Sequence, residues 1–360
     1  MASVKNTRTN KYHITIDMDI DSSSLLLNKE QVPYPQSKSY YDEITIRKNK
    51  IEIIAHRSSA VDLNGVFINH QSALYRQITK SLVYYYCAAK EPTQIESIKI
   101  EHITKSSVNH VLLKRKDIKQ AVSSKARLGA LNDIDLDSLK LIFKENNRAH
   151  GFLFGLTYFI KSLHSDSQHG TFENQWKAFN AIYKAVSNFT RDFDCHRFIR
   201  KDIIENPNFY PLVLAKVSGL TEQSIRSNTR WIKFIQNDFP TAKQTSAFKD
   251  FLIRNEDHRL IKIFKETLTV REEFLKSQGF YNEVIEHINN NEEKVNNSHL
   301  AATLCLKYAY FARNKLIHAE NIESGFRLVP LNKEEEEVTW LSGMLVLLIV
   351  DLINANFRFQ

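Results

Sequence analysis

Hydrophobic and polar residues alternate along the first third of the chain, a pattern that predicts short β-strands. Five stretches show it, partially or cleanly: 12–18, 43–47, 51–53, 95–103 and 108–114. One helix, from about His70 to Ala89, is predicted to interrupt them. Residues 1–130 are therefore expected to form a small α+β domain, which a polar segment at 123–137 separates from the rest of the chain.

Beyond that segment the apolar residues are spaced three and four apart, which is typical of helices that face a core. The first marked helix runs from Thr171 to about Asn188, with a stripe of Phe172, Trp176, Phe179, Tyr183 and Val186. The second is expected to begin near Ser298 and carries Cys305, Tyr308, Ala309, Ala312 and Leu316 on one side.

A third helix begins at the glutamates 334–337, which favour a helix N-terminus because of the helix dipole. Its core-facing residues are Val338, Leu341, Leu345, Leu348 and Leu352. The apolar run 340–350 is too short to span a bilayer, which needs about 20 apolar residues. The fold class expected is mainly α: a helical domain over 131–360, with a helical insertion at about 190–297, preceded by the α+β domain.

Composition narrows the class of protein. Of 360 residues, only 9 are Gly and 7 are Pro, which disfavours propellers and glycine-loop nucleotide enzymes. The three cysteines, Cys87, Cys195 and Cys305, form no close pair, so neither a disulfide framework nor a thiolate zinc site is indicated. The N-terminus lacks the apolar stretch of a signal peptide. A reducing, cytoplasmic location and no membrane partner are expected.

The formal net charge is +8, and its position along the chain is uneven. Residues 1–130 hold 20 Lys and Arg against 12 Asp and Glu, whereas residues 131–360 hold 29 of each. Such a basic domain suits a polyanion such as nucleic acid. An ordinary solvated basic surface explains the same count, and the sequence leaves both interpretations open.

The segment Tyr310–Glu320 contains the most informative polar residues, Arg313, Asn314 and His318. On a helix, Asn314 and His318 share a face and Arg313 lies near its edge. A histidine titrates near neutral pH, and an arginine can donate two hydrogen bonds to phosphate oxygens. The alternative is structural: His318 caps carbonyls at the helix end, and Arg313 pairs with Glu320 on the surface.

The same Arg-x4-His spacing occurs once more, at Arg191 and His196. We interpret this match as incidental, because Asp192 and Asp194 are placed to pair with its Arg and His and because it follows a helix break at 188–190. Its functional alternative is a duplicated site.

Other chemistries are poorly represented, since the chain has no Walker loop, GxSxG, HExxH or CxxC motif. The strand 41–48 fits an acidic metal-nuclease pattern, but an exposed charged strand explains it more simply. Tyr84, Tyr85 and Tyr86 are candidates for base stacking, although three consecutive residues point around a helix and at least one is expected in the core.

Context distinguishes Arg313–His318 from the second match. Tyr-Phe-Ala-Arg-Asn-Lys-Leu-Ile-His, followed by a loop and a last apolar helix, resembles the HEPN superfamily. The segment 172–183 is similar to the Trp-x-Ala-Phe-Asn-x-x-Tyr helix of its ApeA-like branch. The resemblance covers about 135–200 and 295–356; residues 1–130 match no family that we can name, and the insertion departs from the compact HEPN bundle.

The resemblance implies a homodimer in which two copies of Arg313, Asn314 and His318 meet in one cleft, and a metal-independent endoribonuclease with no cofactor. RNA carries its own nucleophile, the 2′-OH, so cleavage needs a proton acceptor, a proton donor and positive charge near the phosphate. The expected partners are RNA and a regulatory protein or ligand, and the family suggests a toxin or phage-defence role. The alternative is a non-catalytic HEPN scaffold that binds nucleic acid or a partner protein.

Overall fold

The computed structural model describes residues 10–34, 40–317 and 332–359. They form two compact units, one up to Ser165 (unit 1) and one from Asp166 to Phe359 (unit 2). These residues are mainly α-helical, and those of unit 1 also form an antiparallel sheet. None of the described helices combines the length and the apolar character needed to cross a bilayer.

The sheet of unit 1 has six antiparallel strands in the order β2-β3-β4-β1-β5-β6. Its strands are β1 (Asn10–Met18), β2 (Leu25–Pro33), β3 (Tyr41–Arg47), β4 (Lys50–Arg57), β5 (Ile95–Ile103) and β6 (Val108–Lys114). All five predicted strands are present. Strand β2 was missed because its pairing with β3 shifts register twice and Lys29 has a positive φ, so its apolar residues do not alternate.

Helix α2 covers one face of this sheet. The helices of unit 1 are α1 (Gly65–Ile68), α2 (Ala73–Ala89), α3 (Leu136–Leu139) and α4 (Asn147–Ser162). Ser72 caps α2 by accepting a hydrogen bond from the Tyr75 amide. Because α4 packs on α2, unit 1 extends to Ser165, some 35 residues beyond the boundary expected at 130.

Tyr84, Tyr85 and Tyr86 on α2 are all buried, with at most 2% of each residue exposed. Their rings pack against the elements that surround α2. The hydroxyl group of Tyr85 donates a hydrogen bond to the carbonyl of Lys48, and that of Tyr86 donates one to the carbonyl of Thr93. The base-stacking alternative for these three residues is therefore wrong, because no base can reach their rings.

The other face of the sheet is polar, and acidic side chains are prominent among its paired residues. His13 lies 3.5 Å from Glu101 and 3.9 Å from Glu52, and Lys99 pairs with Glu101 at 2.6 Å. Ser97 donates a hydrogen bond to Asp17. Contacts of this kind stabilise a solvated sheet face, and these residues show no positive excess for nucleic acid to bind.

A buried ion pair joins β3 and β4 of unit 1. Arg57 donates two hydrogen bonds to Asp42, at 2.7 and 2.8 Å, and Gln77 of α2 donates a third at 3.0 Å. Asp42 is fully buried, and the Arg57 guanidinium lies 3.9 Å from the centre of the Tyr34 ring. The strand 41–48 is thus not uniformly exposed, and its most buried carboxylate is engaged by an arginine.

Helices are the only regular secondary structure in the described residues of unit 2. Its helices are α5 (Gln168–Ser187), α6 (Asp192–Glu205), α7 (Pro211–Ser218), α8 (Glu222–Ser227), α9 (Trp231–Asp238), α10 (Thr245–Ile253), α11 (His258–Thr267), α12 (Glu272–Ser277), α13 (Tyr281–Asn290), α14 (Asn297–Ala302), α15 (Ala309–Ile317) and α16 (Lys333–Asn354). A π-helical turn, Thr303–Tyr308, joins α14 to α15.

The three helices predicted from spacing form the centre of unit 2. Helix α16 packs along α5 and α7, and α6 packs on α5 and α14. Asp351 of α16 accepts hydrogen bonds from the amides of Leu212 and Val213 at the start of α7. Helices α6 and α7 therefore belong to this bundle, and the predicted insertion at 190–297 is reduced to α8–α13.

The start of α16 agrees with the helix-dipole interpretation of its glutamates. Asn332 is the N-cap, and Glu334, Glu335 and Glu336 occupy the first turn. The fourth glutamate, Glu337, has a different role: it is buried, accepts a hydrogen bond from the hydroxyl of Tyr308 and pairs with Arg230.

We predict that Asp42→Ala destabilises unit 1 by about 3–5 kcal/mol, because it leaves the buried Arg57 charge without a partner. Urea unfolding followed by far-UV circular dichroism measures the effect. All three tryptophans, Trp176, Trp231 and Trp340, lie in unit 2, so their fluorescence reports that unit separately. Asp21→Ala, at an exposed carboxylate, is the control; equal midpoints for both variants would contradict the prediction.

Candidate functional site

The segment that carries Arg313 lies on a nearly continuous helical rod from α14 through α15. The rod begins after Asn296, whose side chain accepts a hydrogen bond from the His299 amide, so the predicted cap at Ser298 is two residues late. The π-helical turn Thr303–Tyr308 precedes α15 directly. Such turns are rare and occur frequently at functional sites, since they displace the side chains that follow.

Arg313 and Asn314 lie side by side on α15, both partly buried. The Nη1 of Arg313 donates to the Oδ1 of Asn314 at 2.9 Å. A guanidinium has only donors, so the amide oxygen must face it. Asn314 therefore orients Arg313, and its NH₂ group remains to donate to another acceptor.

His318 and Glu320 lie outside the described residues. The expected meeting of His318 with Asn314, and the alternative pairing of Arg313 with Glu320, thus both stay predictions. Two of the three predicted site residues are placed together.

An aromatic cluster connects α15 to α5 and α6. The centre of the Tyr310 ring lies 5.9 Å from that of Trp176 and 5.4 Å from that of His196. The centre of the His196 ring also lies 4.9 Å from that of Tyr183 and 6.3 Å from that of Phe179. The aromatic residues of 172–183 and the first turn of α15, which carry the resemblance to HEPN proteins, are therefore in direct contact in the fold.

The second Arg-x4-His match does not reproduce the arrangement at Arg313. Arg191 is 79% exposed and pairs with Asp194 at 2.7 Å, as expected, and α5 ends at Asn188 in a left-handed conformation. His196 pairs with no aspartate among the described residues and lies in the aromatic cluster instead. Burial lowers the pKa of His196 to about 4, so its imidazole is neutral near pH 7.

A cavity of about 370 Å³ lies beside the aromatic cluster, between α6, the end of α10 and the π-helical turn. Its cationic lining residues are Arg197, Arg200, Arg254 and Lys307. Its apolar lining residues are Phe193, Ala302, Leu306 and Tyr310. Sequence reasoning missed this cavity because its residues are distant in the chain and follow no motif.

Among the described residues, no group of three or more His, Cys, Asp and Glu side chains is arranged to hold a metal ion. No protein-family model, curated protein or solved structure matches this chain. The resemblance therefore rests on the residues 172–183 and 310–318 and on the contact between these two segments.

We predict that His196→Phe makes the protein less sensitive to acid. In the folded state His196 resists protonation down to about pH 4, whereas in the unfolded chain it binds a proton near pH 6.5. Acidification across this window therefore favours unfolding, by about 2 kcal/mol between about pH 7 and about pH 5. Urea unfolding at both pH values measures how much free energy of unfolding is lost on acidification. This loss should be about 2 kcal/mol smaller in the variant. An equal loss in both proteins would contradict the prediction.

Proposed function

We propose that the protein is an endoribonuclease of HEPN type that cleaves RNA with Arg313, Asn314 and His318. The observation that carries the proposal is the contact between Trp176 and Tyr310, because it brings together the two segments that resemble the family. One helical turn beyond Tyr310, Arg313 is oriented by Asn314. The π-helical turn before α15 is a second local feature that favours a functional site.

In this proposal the protein supplies acid–base chemistry and positive charge, and RNA supplies the nucleophile. His318 accepts or donates the proton, and the guanidinium of Arg313 donates to the phosphate oxygens as negative charge develops. Asn314 fixes the rotamer of Arg313, which reduces the reorganisation needed when RNA binds. The products are a 2′,3′-cyclic phosphate and a 5′-OH end.

The proposal includes a homodimer, in which two copies of the three residues form one cleft, and control by a partner protein or ligand, because an unregulated ribonuclease harms its host. A role as a toxin or phage-defence effector follows from the resemblance to the family.

We predict that Arg313→Ala and His318→Ala each reduce RNA cleavage by at least about 100-fold, because each removes a group that acts in the transition state. Asn314→Ala should reduce it less, because Arg313 keeps its charge but loses its orientation. The assay incubates purified protein with total RNA in EDTA and determines the chemistry of the fragment ends.

Arg191→Ala is the matched control, since Arg191 begins the other Arg-x4-His match and is exposed. It should cleave like the wild type. Cleavage that disappears with the chelator, or that Arg313→Ala leaves unchanged, would contradict the proposed mechanism.

A second candidate function, nucleic-acid binding without cleavage, is favoured by the location of the positive charge. Residues 105–127 hold seven Lys and Arg against one acidic residue, Asp117, whereas residues 10–104 hold eleven of each. All seven cationic residues are exposed: Lys105 lies in the turn before β6, Lys114 ends β6, and the other five follow it. Arg115 pairs with Asp19 and Glu96. None of the other six has an ion pair within the described part of the chain.

We predict that replacing Lys114, Lys116 and Lys119 by Gln weakens binding to a single-stranded RNA. Each lysine that contacts a phosphate releases a counterion, so the slope of log K against log salt should fall by about 2 in magnitude. Fluorescence anisotropy over a salt series measures this. The control replaces three exposed lysines of unit 2, Lys201, Lys265 and Lys276. Equal slopes for the two triple variants would show that the charge count alone, not this surface, determines binding.

A further inference from the structure

The cavity beside the π-helical turn has a charge imbalance that internal partners do not remove. Two of its charged side chains are neutralised: Lys307 pairs with Asp238, and Asp192 pairs with Lys184 at 3.3 Å. The three arginines Arg197, Arg200 and Arg254 are in no ion pair with a carboxylate of the described residues. The nearby carboxylate of Asp250 offsets part of the Arg254 charge, and the lining of the cavity still carries a net positive charge.

Two of these arginines are held close together. Arg200 donates to the backbone carbonyl of Arg254 at 2.6 Å, and its guanidinium lies 3.5 Å from the side-chain oxygen of Asn255. Burial and the neighbouring charge of Arg254 lower the pKa of Arg200 to about 10. A guanidinium beside a second cation is destabilised, and a bound anion would remove this destabilisation.

Elsewhere in unit 2, the buried or half-buried arginines Arg259, Arg230 and Arg271 have acceptors within the chain. Arg259 donates to both oxygens of Asp257 at 2.8 Å, and Arg230 pairs with Glu337. Arg271, which is equally buried, donates instead to the carbonyls of Phe239 and Thr241 and to the hydroxyl of Thr245. The guanidinium groups of Arg197 and Arg254 differ: neither donates a hydrogen bond to another described residue, so both are available to an anion from outside the chain.

The other residues that line the cavity indicate which groups the ligand has besides an anion. Phe193, Leu306 and Tyr310 present apolar surface, and the Nε2 atom of His196 is buried without a partner in the described residues. A volume of about 370 Å³ is at the lower end of the range for small-molecule sites. A molecule of mononucleotide size, with a flat ring as well as an anionic group, fits these conditions.

We propose that this cavity binds a phosphorylated aromatic molecule, with its phosphate held by Arg197, Arg200 and Arg254 and its ring against Phe193 and Tyr310. Phosphate suits the site because its several oxygens can accept hydrogen bonds from more than one guanidinium at once. This inference goes beyond RNA cleavage and does not depend on it, since none of these arginines belongs to the proposed catalytic set.

Isothermal titration calorimetry of the full-length protein tests the proposal with three probes: adenosine 5′-monophosphate, adenosine and inorganic phosphate. The nucleotide should bind more tightly than either of its parts, because only it engages both the cationic and the apolar lining residues of the cavity. Arg197→Gln and Arg254→Gln should each weaken its binding by about tenfold or more, the loss expected for a charged hydrogen-bonded contact.

The control is Lys262→Gln, which removes one exposed positive charge from α11, outside the cavity. It should bind the nucleotide like the wild type. Arg197 and Arg254 are exposed, so their substitution leaves the core intact, and far-UV circular dichroism verifies the fold. Arg254→Lys keeps the charge without the two-pronged donor and should bind with intermediate affinity.

A short 2′-O-methyl oligonucleotide, which lacks the 2′-OH nucleophile, distinguishes a free phosphorylated molecule from an RNA strand as the source of the phosphate. Binding of the mononucleotide alone assigns a free ligand, and tighter, arginine-dependent binding of the oligonucleotide assigns the strand; both support a phosphate site. The proposal is overturned if neither probe binds, or if both arginine variants bind them like the wild type.

Discussion

A charged side chain that leaves water must find an opposite charge or enough hydrogen bonds, because the cost of desolvation otherwise exceeds what folding supplies. This constraint organises both units. Asp42 and Arg57 join β3 to β4, Asp257 and Arg259 fix the start of α11, and Glu337 draws Tyr308 and Arg230 towards α16. Each pair satisfies its own charges, so these residues are structural.

The same constraint separates the side chains available for function from those that are not. The strand 41–48 fits a metal-nuclease pattern in sequence, but the carboxylate of Asp42 in this strand is bound by Arg57. Arg313 has an amide as its described neighbour, and the three arginines of the cavity are in no ion pair with a carboxylate of the described residues. Cations that the fold leaves without anions are the ones that a phosphate can engage.

The aromatic cluster around His196 relates the two candidate sites of unit 2. It joins α5, α6 and α15, so Tyr310 contacts the cluster on one side and lines the cavity on another. Arg313 follows one turn later on the same helix. A ligand in the cavity would therefore contact the helix that carries Arg313 and Asn314, which is one physical route by which a small molecule can act on the proposed catalytic site.

The residues along the chain were sufficient to predict the mainly α class, five of six strands and the three central helices, because alternation and three-to-four spacing reflect which side of an element is buried. They also singled out Arg313 and Asn314. Three matters depended on tertiary contacts: the burial of Tyr84–Tyr86, the membership of α6 and α7 in the bundle, and the convergence of Arg197, Arg200 and Arg254. A local pattern encodes the burial of one element, whereas a cavity forms from residues far apart in the chain whose proximity only packing determines.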